Sequence, residues 1–304
     1  MRHARQSNQT TIADALRLFY LDCEARNLAP RTQEYYREKL EPFAKWLAET
    51  NVTHARQLTS THIRRFLVAQ QARELSPYTV HAFARCVKTL CLFLVREGAL
   101  DVSPMARVKM PKLPQDLLPP FEAHEIRALL RACNCERDTA IVLTLLDSGV
   151  RASELCALDI GDLDLTTGAL AVFRGKGRKS RVTYVGARTR QAVLRYFNTR
   201  SVTFAAAPLF VTLRDGQRLR YDGLRALLKR LSERADVADV DAHRFRRTFA
   251  IEALRAGMPV MQLAQMMGHG SLPVLQRYLR LLSDDLAQAH REHGPVDGLL
   301  RGKR

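Results

Sequence analysis

Prolines that recur between residues 103 and 120 constrain the fold of this chain more than any other feature. They stand at Pro104, Pro111, Pro114, Pro119 and Pro120. Proline lacks a backbone donor and is excluded from the interior of helices and central strands. We therefore predict a semi-extended linker over 103–120, between a domain at 1–102 and a second domain at 121–283, with a tail at 284–304. A chain of 304 residues is long enough for two separate cores.

The first hundred residues carry apolar side chains at helical spacing. The predicted helices cover 11–25, 32–49, 59–73 and 77–98. Thr32 is a candidate cap for the second helix, and Ser76 followed by Pro77 is a typical start for the fourth. Four amphipathic helices with short connections indicate a small helical bundle.

The second domain adds more helices and one short hairpin. Predicted strands at 169–173 and 181–185 flank the turn Gly175-Lys176-Gly177. The predicted helices cover 122–133, 138–147, 152–157, 189–198, 221–235, 243–256, 260–267 and 272–282. The fold class is therefore mainly α: a helical bundle, then a mixed α+β domain with a small antiparallel sheet.

The charge balance favours a polyanionic partner. The chain has 48 Lys and Arg against 31 Asp and Glu, a formal net charge of +17, and both predicted domains share the excess. Such a surface binds nucleic acid or an anionic membrane, and its spread indicates that both domains contact the polyanion. Lys109 and Lys112, together with Arg107, are predicted to place the linker against phosphates.

Cysteine usage and the N-terminus bear on compartment and cofactors. The six cysteines include no Cys-x-x-Cys pair, so we expect no metal site, and their pattern fits a reducing cytoplasm. Residues 1–10 are polar and basic, without the apolar region of a signal peptide. No apolar run approaches the about 18 residues needed to span a bilayer. We expect a cytoplasmic protein that needs no cofactor and no membrane.

Basic residues and a tyrosine follow one another in a fixed order in the second domain. They are Arg151, Lys176, His243, Arg246, His269 and Tyr278. Cleavage of a phosphodiester without a metal needs cations for the non-bridging oxygens, a nucleophile, and an acid for the leaving oxygen. Arginine stays charged and grips two phosphate oxygens at once, so Arg151 and Arg246 are the candidate clamps.

The other residues of this set can supply the nucleophile and the protons. A field of cations would favour the phenolate of Tyr278, which is the candidate nucleophile. Lys176 at a hairpin tip is the candidate general acid, with Arg178 and Lys179 as close rivals. His269 can donate to the same phosphate or assist the tyrosine, and His243 can bind the phosphate or accept a proton. Glu154, three residues after Arg151, is a candidate for orienting either the active-site base or that arginine.

This ordered set resembles the tyrosine recombinases, the family of phage integrases and Xer-type recombinases. The match rests on Ser148 to Leu155, Lys176, His243-x-x-Arg246, Gly268-His269 and Tyr278. The resemblance implies a SAM-like core-binding fold for 1–102 and a recombinase catalytic domain at 121–283. It implies a site-specific DNA recombinase that cleaves and rejoins DNA through a 3′-phosphotyrosyl intermediate, in integration, excision or resolution, without metal or ATP.

The resemblance also implies partners. They are double-stranded DNA with inverted-repeat core sites and further copies of the chain, assembled as a tetramer on two duplexes. The tail 284–304 would dock on a neighbouring protomer or on its own catalytic domain. The family pattern favours Lys176 over its rivals as the acid, and Arg178 and Lys179 are then expected to contact DNA.

Other interpretations stay open at this point. A type IB-like topoisomerase shares the phosphotyrosyl chemistry, and a catalytically inactive DNA-binding relative would share the surface charge. Taken singly, Tyr278 could be a half-buried helix residue, His243 a core histidine, Lys176 part of a solvated turn, and Glu154 an ordinary helix carboxylate.

Overall fold

The computed structural model describes residues 10–114, 119–174, 178–200 and 204–268, with the backbone alone at 174 and 178–180. Contacts divide the chain into two units, Met1–Asp116 and Leu117–Arg304. This division falls within the predicted linker 103–120. The predicted helix at 272–282 and the hairpin tip at 175–177 lie outside the described residues.

The N-terminal unit is a bundle of four helices. They are α1 (Ile12–Ala25), α2 (Pro30–Glu49), α3 (Ser60–Ala72) and α4 (Pro77–Arg96). The hydroxyl of Thr11 accepts a hydrogen bond from the N–H of Asp14, and Ser76 caps α4 in the same way through the N–H of Thr79. The predicted bundle is confirmed.

The start of α2 differs from the prediction. The helix begins at Pro30 rather than after Thr32, and its N-cap Ala29 provides no side-chain hydrogen bond. A proline at the first helical position has its φ preset for the helix and loses no hydrogen bond there, so it can start the helix without a polar cap.

Aromatic rings fill the core of the bundle. The ring of Phe66 lies 4.9 Å from Phe43 and 5.5 Å from Phe83, measured between centroids. Phe19 of α1 meets Phe93 of α4 at 5.4 Å in the same edge-to-face manner.

Helix α4 is also long and apolar enough to cross a bilayer by length and composition, which differs from the expectation that no such run exists. Half of that stretch is buried within the bundle, as in the core helix of a folded domain.

The proline-rich segment packs on the bundle where it is described. A short 3₁₀ turn, Pro104–Arg107, places Met105 in the core. The carbonyl of Arg107 accepts a 2.5 Å hydrogen bond from Arg64, and the imidazole Nδ1 of His81 lies 2.9 Å from the carbonyl oxygen of Pro111. These contacts give hydrogen-bond partners to two carbonyls of a segment that forms no regular helix or strand beyond this turn.

The C-terminal unit surrounds helix α6 with other helices and a two-stranded sheet. In chain order its elements are α5 (Ala123–Arg131), α6 (Glu136–Ser148), α7 (Ala152–Ala157), β1 (Ala169–Arg174), β2 (Arg178–Tyr184), α8 (Ala187–Asn198), α9 (Tyr221–Ala235), α10 (Ala242–Arg255) and α11 (Val260–Met267). The strands are antiparallel, with Ala169 opposite Tyr184 and Val172 opposite Arg181. The predicted mixed α+β unit is confirmed.

The core of this unit brings α6, α8 and α10 together. Ile141, Val142 and Leu145 of α6 are fully buried, and α6 contacts both other helices. Phe249 of α10 and Met267 of α11 belong to a smaller cluster that packs these two helices against each other. Helix α6 ends at Gly149, whose φ of +61° is left-handed.

We expect Gly149→Ala to destabilise the C-terminal unit far more than Gly257→Ala. Both glycines have left-handed φ, so both substitutions cost about 1–2 kcal/mol of backbone strain. A methyl at Gly149 would also lie 2.7 Å from Cε1 of Phe249, whereas one at Gly257 meets nothing within 4 Å. Overpacking adds about 1–3 kcal/mol. Urea unfolding of the two full-length variants measures the difference, and equal losses would contradict a packing conflict with Phe249.

Candidate active site

A turn and a short helix place the first arginine. After Gly149 the chain enters α7 with Arg151 as its N-cap. The carboxylate of Glu154 accepts from the backbone N–H of Arg151 at 2.8 Å and from its Nη1 at 2.8 Å. The side chain of Arg151 keeps 34% of its area exposed, while Glu154 keeps 7%. Glu154 thus fixes both the backbone and the guanidinium of Arg151.

A second arginine, Arg181, also donates to Glu154. It was not among the residues predicted from the sequence. Arg181 of β2 donates from Nη1 and Nη2 to the two carboxylate oxygens of Glu154, at 2.8 and 2.6 Å. Its Nε donates to the carbonyl of Met266 at 2.7 Å, and its side chain is 8% exposed. Arg181 therefore joins β2, α7 and the end of α11.

The usual alternation along a strand would have placed Arg181 on the wrong face, so no pattern in the sequence pointed to it. Along β2 Thr183 is buried and the side chain of Arg181 is only 8% exposed, whereas Val182 and Tyr184 are about half exposed. This inverts the usual alternation, in which the apolar residues of a surface hairpin face inward.

Arg246 reaches the same region from α10. Its side chain is buried; Nη1 donates to the carbonyl of Gly149 and Nη2 donates to the carbonyl of Met267 at 2.7 Å. The first contact lies two residues before Arg151. The two candidate clamps, which are distant in the sequence, are therefore brought to one turn. His243 lies one helical turn earlier on α10 with an exposed side chain.

The end of α11 meets this arginine cluster. Met266 and Met267 present their carbonyls to Arg181 and Arg246, and the helix then turns at Gly268 with a left-handed φ of +63°. Cations at a helix C-terminus are favoured by the unpaired carbonyls and the helix dipole. His269 is the next residue in the sequence. His269, Tyr278 and Lys176 lie outside the described residues, as do the side chains of Arg178 and Lys179.

The electrostatics of the cluster depend on Glu154. Burial alone would raise the pKa of this carboxyl, but hydrogen bonds from Arg181 and from the Arg151 backbone and side chain lower it to about 2. The carboxylate is ionised at neutral pH and is shared by two arginines. With Arg246 nearby, three guanidinium groups accompany one carboxylate in the described part of the site, so the site is suited to an anion.

The other predicted phosphate contacts with described side chains belong to the N-terminal unit. Lys109 and Lys112 are exposed. Lys109 lines a groove with a volume of about 450 Å³ together with Arg64 and Arg107. The cations of this groove are suited to contact a polyanion. Within the described ranges no three His, Cys, Asp or Glu side chains gather as metal ligands would.

The chain matches two family models. The model described as Phage integrase family covers residues 120–284, and the one described as Phage integrase, N-terminal SAM-like domain, covers 16–98. Tyrosine recombinase XerC of Oceanobacillus iheyensis is 30% identical over 292 residues, which span 91% of this chain and 93% of that protein. XerC of Pelobacter propionicus is likewise 30% identical, over 93% of this chain and 96% of that protein.

Solved structures share the architecture. The Tn1549 transposon integrase in complex with circular intermediate DNA has a TM-score of 0.70 at 18% identity, covering 89% of this chain and 95% of that one. A lambda integrase dimer bound to a COC′ core site has a TM-score of 0.71 at 14% identity, covering 90% and 78%. At these identities the likeness shows a common fold.

We expect Glu154→Gln to remove a pH-dependent part of the stability. The folded-state pKa of Glu154 lies below its ordinary value near 4.5, so its stabilisation is present above pH 4.5 and is lost as the pH falls towards about 2. A depression of this size corresponds to about 3 kcal/mol at neutral pH. Urea unfolding between pH 6 and 2.5 should show a smaller loss on acidification in Glu154→Gln than in wild type.

Glu233→Gln is the matched control for this titration. Glu233 is an exposed carboxylate of α9 in an ion pair with Lys229, and pairs of this kind contribute little to stability. Its substitution should leave the wild-type pH profile unchanged. A Glu154→Gln profile that coincides with both would contradict the buried carboxylate network.

Proposed function

Because this chain belongs to the phage integrase family of tyrosine recombinases, we propose that it cleaves and rejoins DNA at specific sites through a 3′-phosphotyrosyl intermediate, without metal or ATP. One observation carries the proposal: Arg151 and Arg246 are brought to one turn beside the end of α11, where the sequence continues into His269.

The arginine cluster is suited to a phosphodiester in the transition state. Negative charge grows on the non-bridging oxygens as the nucleophile approaches phosphorus. Preorganised donors aimed at such charge are each worth about 2.7–4 kcal/mol. Arg151 and Arg246 are the proposed clamps, and His243 and His269 are the proposed additional donors. Glu154 orients Arg151 through the two hydrogen bonds described above.

Tyr278 is the proposed nucleophile. A phenol has a pKa near 10, so the neighbouring cations are needed to favour the phenolate. Its oxygen attacks the phosphorus, the bond to the 5′-oxygen breaks, and Lys176 gives that leaving oxygen its proton. The phosphotyrosyl ester retains the energy of the phosphodiester, so attack by a 5′-hydroxyl of another strand reverses the reaction and joins the strands.

DNA is the partner that the family and the charge support. Cations such as Lys109 and Lys112 in the N-terminal unit, and Arg178 and Lys179 in the C-terminal unit, are proposed phosphate contacts. We further propose inverted-repeat core sites and a tetramer on two duplexes, with 284–304 docking between protomers. The relatives and solved structures reported above are recombinases and integrases, which favours recombination over a topoisomerase.

Tyr278→Phe should bind DNA with wild-type affinity and form no covalent complex. Phenylalanine keeps the ring and loses the attacking oxygen. A nicked suicide substrate, run on a denaturing gel, should trap a covalent band with wild type. Tyr221→Phe, at an exposed tyrosine at the start of α9, is the control and should retain the band. A covalent band of normal intensity from Tyr278→Phe would refute the assignment.

Lys176→Ala should slow cleavage by about 10²–10⁴-fold, the range for a general acid, while binding changes little. A 5′-phosphorothiolate substrate has a sulfur leaving group that needs no proton, so it should restore most of the lost rate. Lys179→Ala is the comparison, measured in the same single-turnover assay. Rescue of Lys179→Ala in place of Lys176→Ala would assign the proton donor to the other lysine.

A further inference from the structure

We propose that Arg181 is a positioning residue of the cleavage reaction, which keeps Glu154 from competing with the DNA phosphate for Arg151. This proposal rests on the proposed function. Arg181 does not itself need to touch the substrate, because its guanidinium donates to the protein, twice to Glu154 and once to Met266.

The charge balance around Glu154 depends on both arginines. Its buried carboxylate contacts Arg151 and Arg181. Without Arg181, one positive charge fewer would offset this carboxylate, so it would draw more on the charge of Arg151 and would repel an incoming phosphate. Arg181 supplies the second positive charge, so that the trio keeps a net charge of +1 and Arg151, which is 34% exposed, can attract an anion.

The geometry requires an arginine at this position. Two parallel N–H donors hold the carboxylate oxygens at 2.8 and 2.6 Å, while the third nitrogen holds the carbonyl of Met266 at 2.7 Å. A planar guanidinium has these donors in a fixed fork, whereas a lysine ammonium is a single point charge. Arg181 thereby also sets the last turn of α11, two residues before Gly268.

The chain contains a matched pair away from the clamp. Arg244 of α10 is buried, donates to both oxygens of Glu125 at 2.9 and 2.8 Å, and donates from Nε to the carbonyl of Pro119 at 3.2 Å. Both pairs therefore combine hydrogen bonds to the two carboxylate oxygens with one to a carbonyl, although Arg244 uses Nη2 alone for the carboxylate whereas Arg181 uses Nη1 and Nη2. Glu125 contacts neither Arg151 nor Arg246 among the hydrogen bonds of the described residues, so this pair reports the structural cost of losing such a contact.

The experiment measures single-turnover formation of the covalent complex on the nicked suicide substrate. We compare wild type, Arg181→Ala, Arg181→Lys, Arg181→Ala with Glu154→Gln, and Arg244→Ala, at a temperature where thermal unfolding shows each one folded. Arg181→Ala should be slower by about 10- to 100-fold, as for the partners that orient ligands in metal sites. Arg244→Ala should lose comparable stability and cleave within about 3-fold of wild type.

The double variant separates a positioning role from a structural one. Removal of the Glu154 charge should make Arg181→Ala with Glu154→Gln at least about 3-fold faster than Arg181→Ala, because the two residues are directly coupled. Arg181→Lys keeps the charge and loses the fork, so its rate should lie between wild type and Arg181→Ala. If Arg181 had only a structural role, the double variant would cleave as slowly as Arg181→Ala or more slowly.

A methylphosphonate at the scissile position gives a second, independent readout. It replaces a charged non-bridging oxygen with a methyl group, so less negative charge develops. On this substrate the cleavage rate of Arg181→Ala should be closer to the wild-type rate than on the unmodified one. The ratio of the Arg244→Ala rate to the wild-type rate should be the same on both substrates. Arg181→Lys stays informative if Arg181→Ala fails to fold.

The outcomes distinguish this inference from the proposed function. No covalent complex with wild type on the unmodified suicide substrate overturns the proposed function, and the inference with it. If wild type cleaves normally and Arg181→Ala and Arg181→Lys both cleave at the wild-type rate, the inference is overturned and the proposed function stands. The inference also fails if Glu154→Gln does not accelerate the Arg181→Ala variant and Arg181→Ala is as slow relative to wild type on the methylphosphonate as on the unmodified substrate.

Discussion

The buried carboxylate of Glu154 is the interaction on which the described part of the site depends. It caps the start of α7, holds the backbone and side chain of Arg151, and anchors Arg181 of β2. A buried charge is tolerated only when its hydrogen bonds and its countercharge are complete. Helix α7 with its N-cap and strand β2 must therefore fold together before this carboxylate is satisfied, which makes the position of Arg151 depend on tertiary contacts.

Helix α10 serves the fold and the site with neighbouring residues. Arg244 contacts Glu125 and the carbonyl of Pro119, and Phe245 packs 4.7 Å from Phe121. Arg246 instead reaches Gly149 and Met267. Residues two positions apart in a helix are separated by about 200° around its axis, so Arg244 and Arg246 face different surroundings. Arg244 secures the helix in its domain, and Arg246 is a candidate clamp at the turn before Arg151.

Much of the fold was predictable because local patterns specify it. Helical spacing of apolar residues located the four helices of the bundle, and α7, α9 and α11 begin and end at the predicted residues. Two predicted element starts were wrong. Helix α2 starts at Pro30 rather than after Thr32, and β2 begins at Arg178 rather than at residue 181. Pairing with β1 extends that strand to Arg178, and a single-strand pattern cannot show such pairing.

The sequence by itself determined the family, the two-part architecture and the order of the candidate residues, since these follow from periodicity, proline placement and spaced motifs. Tertiary structure decided which charges meet. That Arg181 shares Glu154 with Arg151, and that Arg246 reaches the turn before Arg151, depends on contacts between elements far apart in the chain. Hydrogen bonding acts over about 3 Å in space irrespective of sequence separation, so only the folded chain defines these partners.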